Sequence, residues 1–312
     1  MLLSIIIPSC GREELASAIE SCLRQELPPH ASIEILLVDN TVEGRLQTIA
    51  ASYGDRVRRI QEPERGVSQA RNAGVRVARG SFIAFLDDDE EAAPGWAAAL
   101  IKHAEAGNVA VFGPVVPSFA EPPGALKAAA LGLFQRQFDL GDGADLTAHY
   151  AYLGTGNSLF HRSCFTSDEP FSVALGNLGG EDAAFIRMLV HRGIRLTWAP
   201  HAPVVEHVPG ERLMFSSMAI RHFRQGQIRS IVRFGSPGLG KVEGLGWMAI
   251  GLAQVLLYGA QSCALAIVRA DRARLSALKV MSGLGKIFWQ SPFWRLTYGK
   301  GVEIAPPRGG EV

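Results

Sequence analysis

Residues 66–91, GVSQARNAGVRVARGSFIAFLDDDEE, constrain the fold of this chain more than any other stretch. In the first half of this stretch, small and apolar residues recur at steps of three and four, which predicts a helix with one buried face. Residues 81–86 form a short continuous apolar run, as is typical of a strand that is covered on both faces of a parallel sheet. At the carboxyl end of this strand, where open α/β sheets bind their ligands, the chain continues with Asp87, Asp88 and Asp89.

Three adjacent carboxylates are costly unless something positive neutralises them, because neighbouring like charges raise one another's pKa. A divalent cation such as Mg²⁺ or Mn²⁺ would do so, since these hard ions bind carboxylate oxygens and bridge them to phosphates. The alternative is a solvated acidic loop before the helix that Pro94 begins, where acids interact favourably with the helix dipole. The acids alone leave both interpretations open.

Predicted strands and helices alternate along the first 112 residues. The strands are 2–7, 33–38, 57–60, 82–86 and 109–112. The helices between them are 13–25, 46–53, 67–78 and 95–106. This alternation favours an α/β fold with a mainly parallel, Rossmann-like sheet and right-handed crossovers. Prolines weaken the pattern from residue 113 to 143, where only a short helix near 126–138 is expected.

A series of short motifs runs through the chain from residue 4 to residue 189. In order, they are SIIIPSCGR at 4–12, IEILLVDN at 33–40, ARNAG at 70–74, the Asp-x-Asp pair Asp87 and Asp89, TGNSLFHRSCF at 155–165 and GGEDAAFIRML at 179–189. Together they resemble family 2 glycosyltransferases, which have the GT-A nucleotide-diphospho-sugar transferase fold. The segment EHVPGER, followed by a basic helical pattern and an apolar tail, resembles bacterial exopolysaccharide glucosyltransferases. The chain departs from the family pattern at Asn40 and Thr41, where many members carry a second Asp and a Gly-Ser turn.

The resemblance implies a nucleotide site at the ends of the first two strands. Asp39 takes the base-reading position, where a carboxylate can accept a hydrogen bond from the imide N–H of uracil; a turn or cap residue is the alternative, since Asp is common at strand ends. Pro8 and Ser9 are expected to shape the floor of the nucleotide pocket. Arg12 and Arg71 are expected to face the base or the pyrophosphate, because arginine can pair bidentately with phosphate oxygens. For Arg12 a solvated surface position is the alternative.

The same resemblance implies a metal site. Asp87 is expected to lie toward the ribose and the metal, and Asp89 on a Mn²⁺ or Mg²⁺ ion that bridges the diphosphate. Asp88 points the other way along an extended chain, so we expect it to be structural. In several relatives a histidine at the place of His207 completes the metal shell, and imidazole suits Mn²⁺ better than Mg²⁺. A structural histidine is the alternative there.

Glu181 and Asp182 open a predicted helix after two glycines. Their simplest role is helix capping, which any Asp or Glu at a helix start can serve. The resemblance implies that Asp182 is the general base that removes the proton of the acceptor hydroxyl, with Glu181 positioning the acceptor or the base. Because the motif holds no second, nucleophilic carboxylate, a single displacement with inversion of the anomeric centre is expected.

Composition and length bound the partners and the domains. The formal net charge is +1, which argues against nucleic acid as the main partner, because proteins that bind phosphate backbones have a basic excess. We expect a catalytic domain at 1–210, with a nucleotide-sugar half at 1–112 and an acceptor half at 113–210. A C-terminal helical appendage is expected at 211–312. The first residues lack a basic region and predict a strand, so the catalytic part should stay in the cytosol.

The appendage contains a membrane candidate. Residues 244–268 carry no charge and are long enough to span a hydrocarbon layer of ~30 Å. Gln254, Gln261 and Ser262 interrupt the stretch, and basic residues flank it on both sides, so there is no positive-inside asymmetry. A re-entrant or interfacial helix therefore fits better than a spanning one, and a buried core helix is the remaining alternative. We expect association with the cytoplasmic face of the inner membrane.

The favoured function is an inverting, metal-dependent glycosyltransferase that moves a sugar from a UDP-sugar to a lipid-linked or polysaccharide acceptor in exopolysaccharide or cell-surface glycan synthesis. The Gln-x-x-Arg-Trp motif of processive synthases is missing, since the corresponding region is IRHFRQGQIRSIVRFG, so addition of single residues is expected. A sugar nucleotidyltransferase is an alternative, but it would need a glycine-rich amino-terminal loop, which SIIIPSCGREE does not supply. A catalytically silent scaffold of a polysaccharide assembly complex is another, although it would have no use for the acidic motif residues.

Overall fold

The computed structural model describes residues 1–176, 179–235 and 238–293. These residues form two compact units. The first unit contains Met1–Ser118, Arg136–Gly176 and Glu181–His207. The second contains the described residues of 119–135, 177–180 and 208–312. The part of the predicted appendage from 294 to 312 lies outside the described residues.

Ten strands occur in the described residues. They are β1 (Leu2–Ser9), β2 (Ser32–Asp39), β3 (Val57–Gln61), β4 (Phe82–Phe85), β5 (Glu90–Ala92), β6 (Ala110–Phe112), β7 (Val115–Phe119), β8 (Ser158–His161), β9 (Thr197–Trp198) and β10 (Val204–Val208). Seven of them form a large sheet in the order β3-β2-β1-β4-β8-β6-β9, and three form a small sheet in the order β5-β10-β7. In the large sheet β8 runs antiparallel to both of its neighbours, and the other pairs are parallel.

Helices of the first unit connect these strands. They are α1 (Leu15–Leu23), α2 (Gln47–Ser52), α3 (Val67–Val77), α4 (Trp96–Glu105), α6 (Val173–Gly176) and α7 (Glu181–His191). The helices of the second unit are α5 (Lys127–Phe134), α8 (Gly210–Leu213), α9 (Phe215–Phe234), α10 (Gly240–Ala266) and α11 (Ala270–Ile287). Each strand and helix predicted in the first 112 residues is present, with ends that differ by one or two residues.

The large sheet is covered on both faces. Ile5 and Ile7 of β1 pack in a core that also contains residues of α1 and α4, whereas Ile6 packs in a second core with residues of α3 and α7. Because β1 is central and buried on both faces, its sequence is a continuous apolar run. Gly74 lets α3 approach the sheet closely, since a Cβ atom there would lie 2.6 Å from Ile6 Cγ2. The predicted mainly parallel α/β sheet is therefore confirmed.

The second unit is helical. Helices α9, α10 and α11 contact one another, and glycines permit the close approach, since a Cβ atom at Gly283 of α11 would lie 2.7 Å from the carbonyl oxygen of Gly251 in α10. Residues 119–135, which we predicted to lie in the acceptor half, belong to this unit instead. The reason is that Phe134 of α5 packs in one core with Met218 and Leu278.

Helix α10 contains nearly all of the uncharged stretch and is long and apolar enough to cross a membrane by length and composition. Only 6% of its most apolar 18-residue window is buried. The alternative of a buried core helix is therefore wrong.

Candidate active site

The carboxyl ends of β1, β2 and β4 meet at one edge of the large sheet, because these strands are parallel neighbours. Ser9 at the end of β1 pairs with Asp39 at the end of β2. The N–H of Leu86 donates to the carbonyl oxygen of Ile6 at 3.1 Å, which extends the β1–β4 pairing to the point where Asp87 follows. The register thus brings the predicted nucleotide residues together at the expected edge.

Asp39 is fully buried, and its carboxylate is satisfied within the chain. Oδ1 accepts hydrogen bonds from the N–H and the hydroxyl of Thr41 at 3.1 and 2.6 Å, and Oδ2 accepts from the N–H of Leu46 at 3.1 Å and from Arg59 Nε at 2.9 Å. Burial alone would raise the pKa of Asp39, but these bonds hold it below its ordinary value. A carboxylate offers about four acceptor positions, so this arrangement favours the turn-capping alternative. The base-reading role stays a prediction.

Asp88 anchors the acidic run, but it does not point away from Asp89 as expected for an extended chain, since residues 88 and 89 form a turn and Arg12 contacts both carboxylates. Ser9 Oγ donates to Asp88 Oδ2 at 2.6 Å, and Arg12 Nε lies 3.4 Å from Oδ1. Burial raises the pKa of Asp88 to about 6, and Arg12 and Ser9 partly offset this effect. Ser9 therefore ties the acidic run to the end of β1, beside the buried strand residue Pro8.

Arginines neutralise the two outer acids. Arg12 Nη1 donates to Asp89 Oδ2, and Arg71 Nη2 lies 3.4 Å from Asp87 Oδ1. The side chain of Asp87 is 37% exposed and that of Asp89 is 8% exposed. Asp87 is thus the more accessible of the two. Arg12 contacts carboxylates rather than solvent alone, and its contact with a base or pyrophosphate stays a prediction.

Arg71 joins the acidic run to the start of α7. Its buried guanidinium contacts Glu181 Oε1 through Nη1 at 2.5 Å and Asp87 through Nη2. The guanidinium carbon also lies 5.8 Å from the centroid of the Phe171 ring. Arg71, which is buried on α3, therefore links Asp87, expected near the donor, to Glu181, expected near the acceptor.

Burial raises the pKa of both carboxylates that open α7, that of Glu181 to about 8 and that of Asp182 above its ordinary value, and Arg71 opposes both shifts. Asp182 Oδ1 accepts from the N–H of Ala183 at 2.7 Å, which satisfies one N–H group in the first turn of α7. Among the described residues, Glu181 Oε2 is buried without a hydrogen-bond partner. A raised pKa suits a general base, because a catalytic base works best when its pKa lies near the working pH.

A glycine loop before β8 lies against both groups of carboxylates. A Cβ atom at Gly154 would lie 3.0 Å from Asp182 Oδ2, and one at Gly156 would lie 2.8 Å from Asp87 Oδ2. Side chains at these positions would crowd the carboxylates. Asp87 and Asp182 therefore lie next to two loop residues, Gly156 and Gly154, that are only two positions apart in the chain.

Arg136 holds this loop in place. Its Nε donates to the carbonyl oxygen of Gly113 at 2.8 Å, Nη1 donates to Gly154 at 3.0 Å, and Nη2 donates to Gly156 and Asn157 at 2.8 and 2.6 Å. Burial lowers the pKa of Arg136 to about 10, which leaves it charged at neutral pH. The sequence does not predict this role for Arg136, because a single arginine after an apolar segment carries no signal of contacts with carbonyl groups far along the chain.

Asn157 fixes the other end of the loop. Its φ of 48° lies in the left-handed region, which Asn tolerates better than most residues. Its Oδ1 accepts from Trp96 Nε1 at 2.7 Å, and its Nδ2 donates to the carbonyl oxygens of Pro114 and Ala202 at 2.7 and 2.9 Å. The TGN sequence is therefore a scaffold for the site, a role that its resemblance to a family motif did not specify.

The small sheet brings His207 next to the acidic run. The N–H of His207 donates to the carbonyl oxygen of Asp89 at 2.8 Å, and Glu206 lies opposite Glu90 in the β5–β10 pair. Burial raises the pKa of Glu90 well above its ordinary value, and nearby carboxylates add to the shift. The His207 side chain contacts Glu91, with 2.9 Å between Nε2 and Oε1.

A divalent cation fits the donor chemistry of this site. Within 1–176, 179–235 and 238–293, no group of three His, Cys, Asp or Glu side chains could hold a metal ion unaided. Each predicted ligand has a partner within the chain: Arg71 for Asp87, Arg12 for Asp89 and Glu91 for His207. Mg²⁺ or Mn²⁺ needs only one or two carboxylates when phosphate and water oxygens complete its shell. Asp87, whose side chain is 37% exposed, can supply such an oxygen ligand, and the ligand assignment stays a prediction.

Comparisons with known proteins agree with this architecture. The sequence model of "Glycosyl transferase family 2" matches residues 4–165. Succinoglycan biosynthesis protein ExoM of Rhizobium meliloti (strain 1021) is 29% identical over 222 residues, which cover 69% of this chain and 70% of ExoM. Uncharacterized glycosyltransferase EpsJ of Bacillus subtilis (strain 168) is 35% identical over 116 residues, which cover 36% of this chain and 33% of EpsJ.

A solved structure is similar over nearly the whole chain. S. aureus TarS 1–349, crystallised in complex with UDP-GlcNAc, superposes with a TM-score of 0.52 at 14% sequence identity, covering 92% of this chain and 90% of that one. At this identity the likeness concerns the fold.

Proposed function

We propose that this chain, which belongs to glycosyl transferase family 2, transfers a sugar from a UDP-sugar to a lipid-linked or polysaccharide acceptor with inversion of the anomeric centre. Membership of the family makes the chain a glycosyltransferase, and the predicted GT-A fold is confirmed. The complex of the similar structure TarS with UDP-GlcNAc supports a UDP-sugar as the donor.

The observation that carries the proposal is the position of the Gly154–Asn157 loop between Asp87 and Asp182. The backbone at Gly156 lies against Asp87, and the backbone at Gly154 lies against Asp182. A donor bound near Asp87 and an acceptor hydroxyl bound near Asp182 would therefore lie close to each other, because Gly154 and Gly156 are only two residues apart. Such positioning is the main requirement for a direct displacement.

In the proposed reaction, Asp182 accepts the proton of the acceptor hydroxyl while that oxygen bonds to the anomeric carbon and the bond to the diphosphate breaks. Glu181 holds the acceptor or the base through its unpaired Oε2. A cation bound by Asp87 and Asp89 would act as a Lewis acid that neutralises the charge of the departing UDP. Arg71 keeps Asp87 and Glu181 in place.

We place the reaction in exopolysaccharide or cell-surface glycan synthesis at the cytoplasmic face of the inner membrane. The similarity to ExoM, a succinoglycan biosynthesis protein, supports the first part. The exposed apolar helix α10 supports the second. The absence of Gln-x-x-Arg-Trp from the sequence favours addition of single sugars over processive synthesis.

Donor binding should depend on a divalent cation. UDP with Mn²⁺ or Mg²⁺ is expected to raise the melting temperature, since a ligand at 100 times its Kd adds ~2.7 kcal/mol to stability. Asp89→Ala should weaken this stabilisation and sugar transfer together. The matched change Asp55→Ala, at an exposed acid outside the site, should alter neither. Thermal shifts with UDP and GDP, with and without EDTA, are the measurement, and equal stabilisation by GDP or by UDP in EDTA would contradict the proposal.

The pH dependence of turnover should report the raised pKa of Asp182. Because the base must be deprotonated, kcat is expected to rise with pH through an apparent pKa above the ordinary Asp value of 3.8. Arg71→Gln removes the positive charge that lowers this pKa, so the acidic limb should move to higher pH. Arg76→Gln on the same helix, where the arginine is partly exposed and pairs with Glu62, is the control. If the limb stays in place in Arg71→Gln, Asp182 is not the titrating group.

A further inference from the structure

Helix α10 presents one face that is apolar along its whole length. The apolar stripe consists of large side chains of α10 and of the residue that follows it; they are between 53% and 94% exposed and are spaced mainly at steps that return to one side of a helix. They are Val242, Leu245, Leu252, Leu256, Leu257 and Ile267. At 1.5 Å per residue, the 27 residues of α10 extend for ~40 Å. An exposed apolar face of this length requires a partner.

The polar residues of the uncharged stretch are turned away from the stripe. Gln254 accepts a hydrogen bond from Lys286 of α11, Gln261 accepts one from Ser276 at 3.1 Å, and Ser262 donates to the carbonyl oxygen of Ala273 at 3.0 Å. These three side chains interrupt the hydropathy pattern of the sequence. In the folded unit they stabilise the contact with α11, so they do not interrupt the exposed face.

Helix α11 prevents α10 from crossing a bilayer on its own. The two helices run antiparallel, since Ser262 contacts Ala273 and Gln254 contacts Lys286. Lys279 lies over the ring of Tyr258 at 4.5 Å, beside the second half of α10. A spanning α10 would therefore carry α11 and its charges into the hydrocarbon, where each costs roughly 2.5–3.5 kcal/mol.

The charge of the unit indicates which apolar partner fits. Between residues 208 and 293 the sequence has eleven Lys and Arg but three Asp and Glu, whereas the whole chain is nearly neutral. Exposed basic residues lie at both ends of the stripe, with Lys241 at one end and Arg269, Arg272 and Arg274 at the other. Basic residues beside an apolar helical face bind anionic lipid surfaces.

We propose that α10 lies in the plane of an anionic lipid surface, with the apolar stripe in the acyl boundary and both helix ends on the cytoplasmic side. This inference deepens the membrane association stated in the proposed function and depends on it. It also assigns the orientation. The helix is held parallel to the surface, and α11 keeps its charges in water.

Vesicle binding tests the stripe. The full chain should bind sealed vesicles that contain phosphatidylglycerol more tightly than vesicles of phosphatidylcholine alone. Leu256→Glu should weaken this binding about tenfold or more, because it puts an ionised carboxylate into the acyl boundary. Leu140→Glu changes a leucine that is 38% exposed in the first unit and should not weaken it. UDP binding and circular dichroism, measured on the same samples, separate a loss of folding or of the donor site from a loss of lipid binding.

Two outcomes would overturn the stripe assignment. One is equal vesicle binding by Leu256→Glu and the wild type. The other is a wild-type dimer that does not bind vesicles and that Leu256→Glu converts to a monomer, since the stripe would then be an interface between two copies.

Cysteine labelling tests the orientation. In a Cys10→Ser, Cys263→Ala background, which removes the two exposed thiols, Lys241→Cys and Ala270→Cys mark the two ends of α10. In sealed inverted membrane vesicles, an impermeant maleimide should label both positions without detergent. Labelling of position 270 only after detergent would mean that α10 spans the membrane and would overturn the in-plane orientation, whatever the donor assays show.

Discussion

Replacing Asp182 by Asn is expected to lower turnover by roughly 10²-fold or more, the scale typical of the loss of a general base. Asn is nearly isosteric with Asp, and its side-chain oxygen can still accept the hydrogen bond from the N–H of Ala183. The fold and the affinity for UDP should therefore survive. Steady-state transfer kinetics, a UDP titration and thermal unfolding measure the three quantities.

The matched control is Asp145→Asn. Asp145 Oδ1 also accepts a backbone N–H at 2.7 Å, from Thr147, but Asp145 is exposed and outside the site. The same chemical change should leave turnover unchanged there. A stable Asp182→Asn variant with near-normal turnover would reduce Asp182 to a helix cap and move the search for the base to Glu181.

Replacing Arg136 by Met is expected to lower the free energy of unfolding by roughly 3 kcal/mol or more. Four backbone carbonyl oxygens would lose a donor, and each buried acceptor left unpaired costs about 1–3 kcal/mol. Arg136→Lys should restore little, because an ammonium group lacks the planar fork of the guanidinium. Urea unfolding monitored by circular dichroism measures the change.

Arg162→Met separates a positioning role of Arg136 from a purely structural one. Arg162 likewise donates to backbone carbonyl oxygens of the first unit, those of Ala78 and Gly80, but none belongs to the loop beside Asp87 and Asp182. Both variants should lose stability. Only Arg136→Met should also lower kcat in the fraction that remains folded, and an unchanged kcat there would restrict Arg136 to stability.

Much of the first unit follows from local patterns in the sequence. The apolar runs of β1 and β4 and the three- and four-residue steps of α3 predict their elements to within one or two residues, because burial of one or both faces sets the period. The parallel order then brings Asp39 and the acidic run to one sheet edge. Helix α7 begins at Glu181 as expected.

The partners of these side chains could not be predicted in the same way. The sequence predicts a base-reading role for Asp39, but it gives no sign of the hydrogen bonds that its carboxylate accepts from Thr41, Leu46 and Arg59. The sequence likewise predicts Arg71 near the base or the pyrophosphate, but it does not reveal that Arg71 links Asp87 to Glu181. Contacts of this kind depend on loop paths and side-chain directions, which have no periodic trace in a single sequence.

The sequence by itself determined the alternating α/β order, the acidic run at a strand end and the uncharged helix, since each is a local property of neighbouring residues. The tertiary structure alone decided which carboxylates arginines neutralise, that Arg136 holds the Gly154–Asn157 loop, and that Gln254, Gln261 and Ser262 face α11. These features join residues 11 to 110 positions apart, and only the packed helices and the sheet register fix which of them meet.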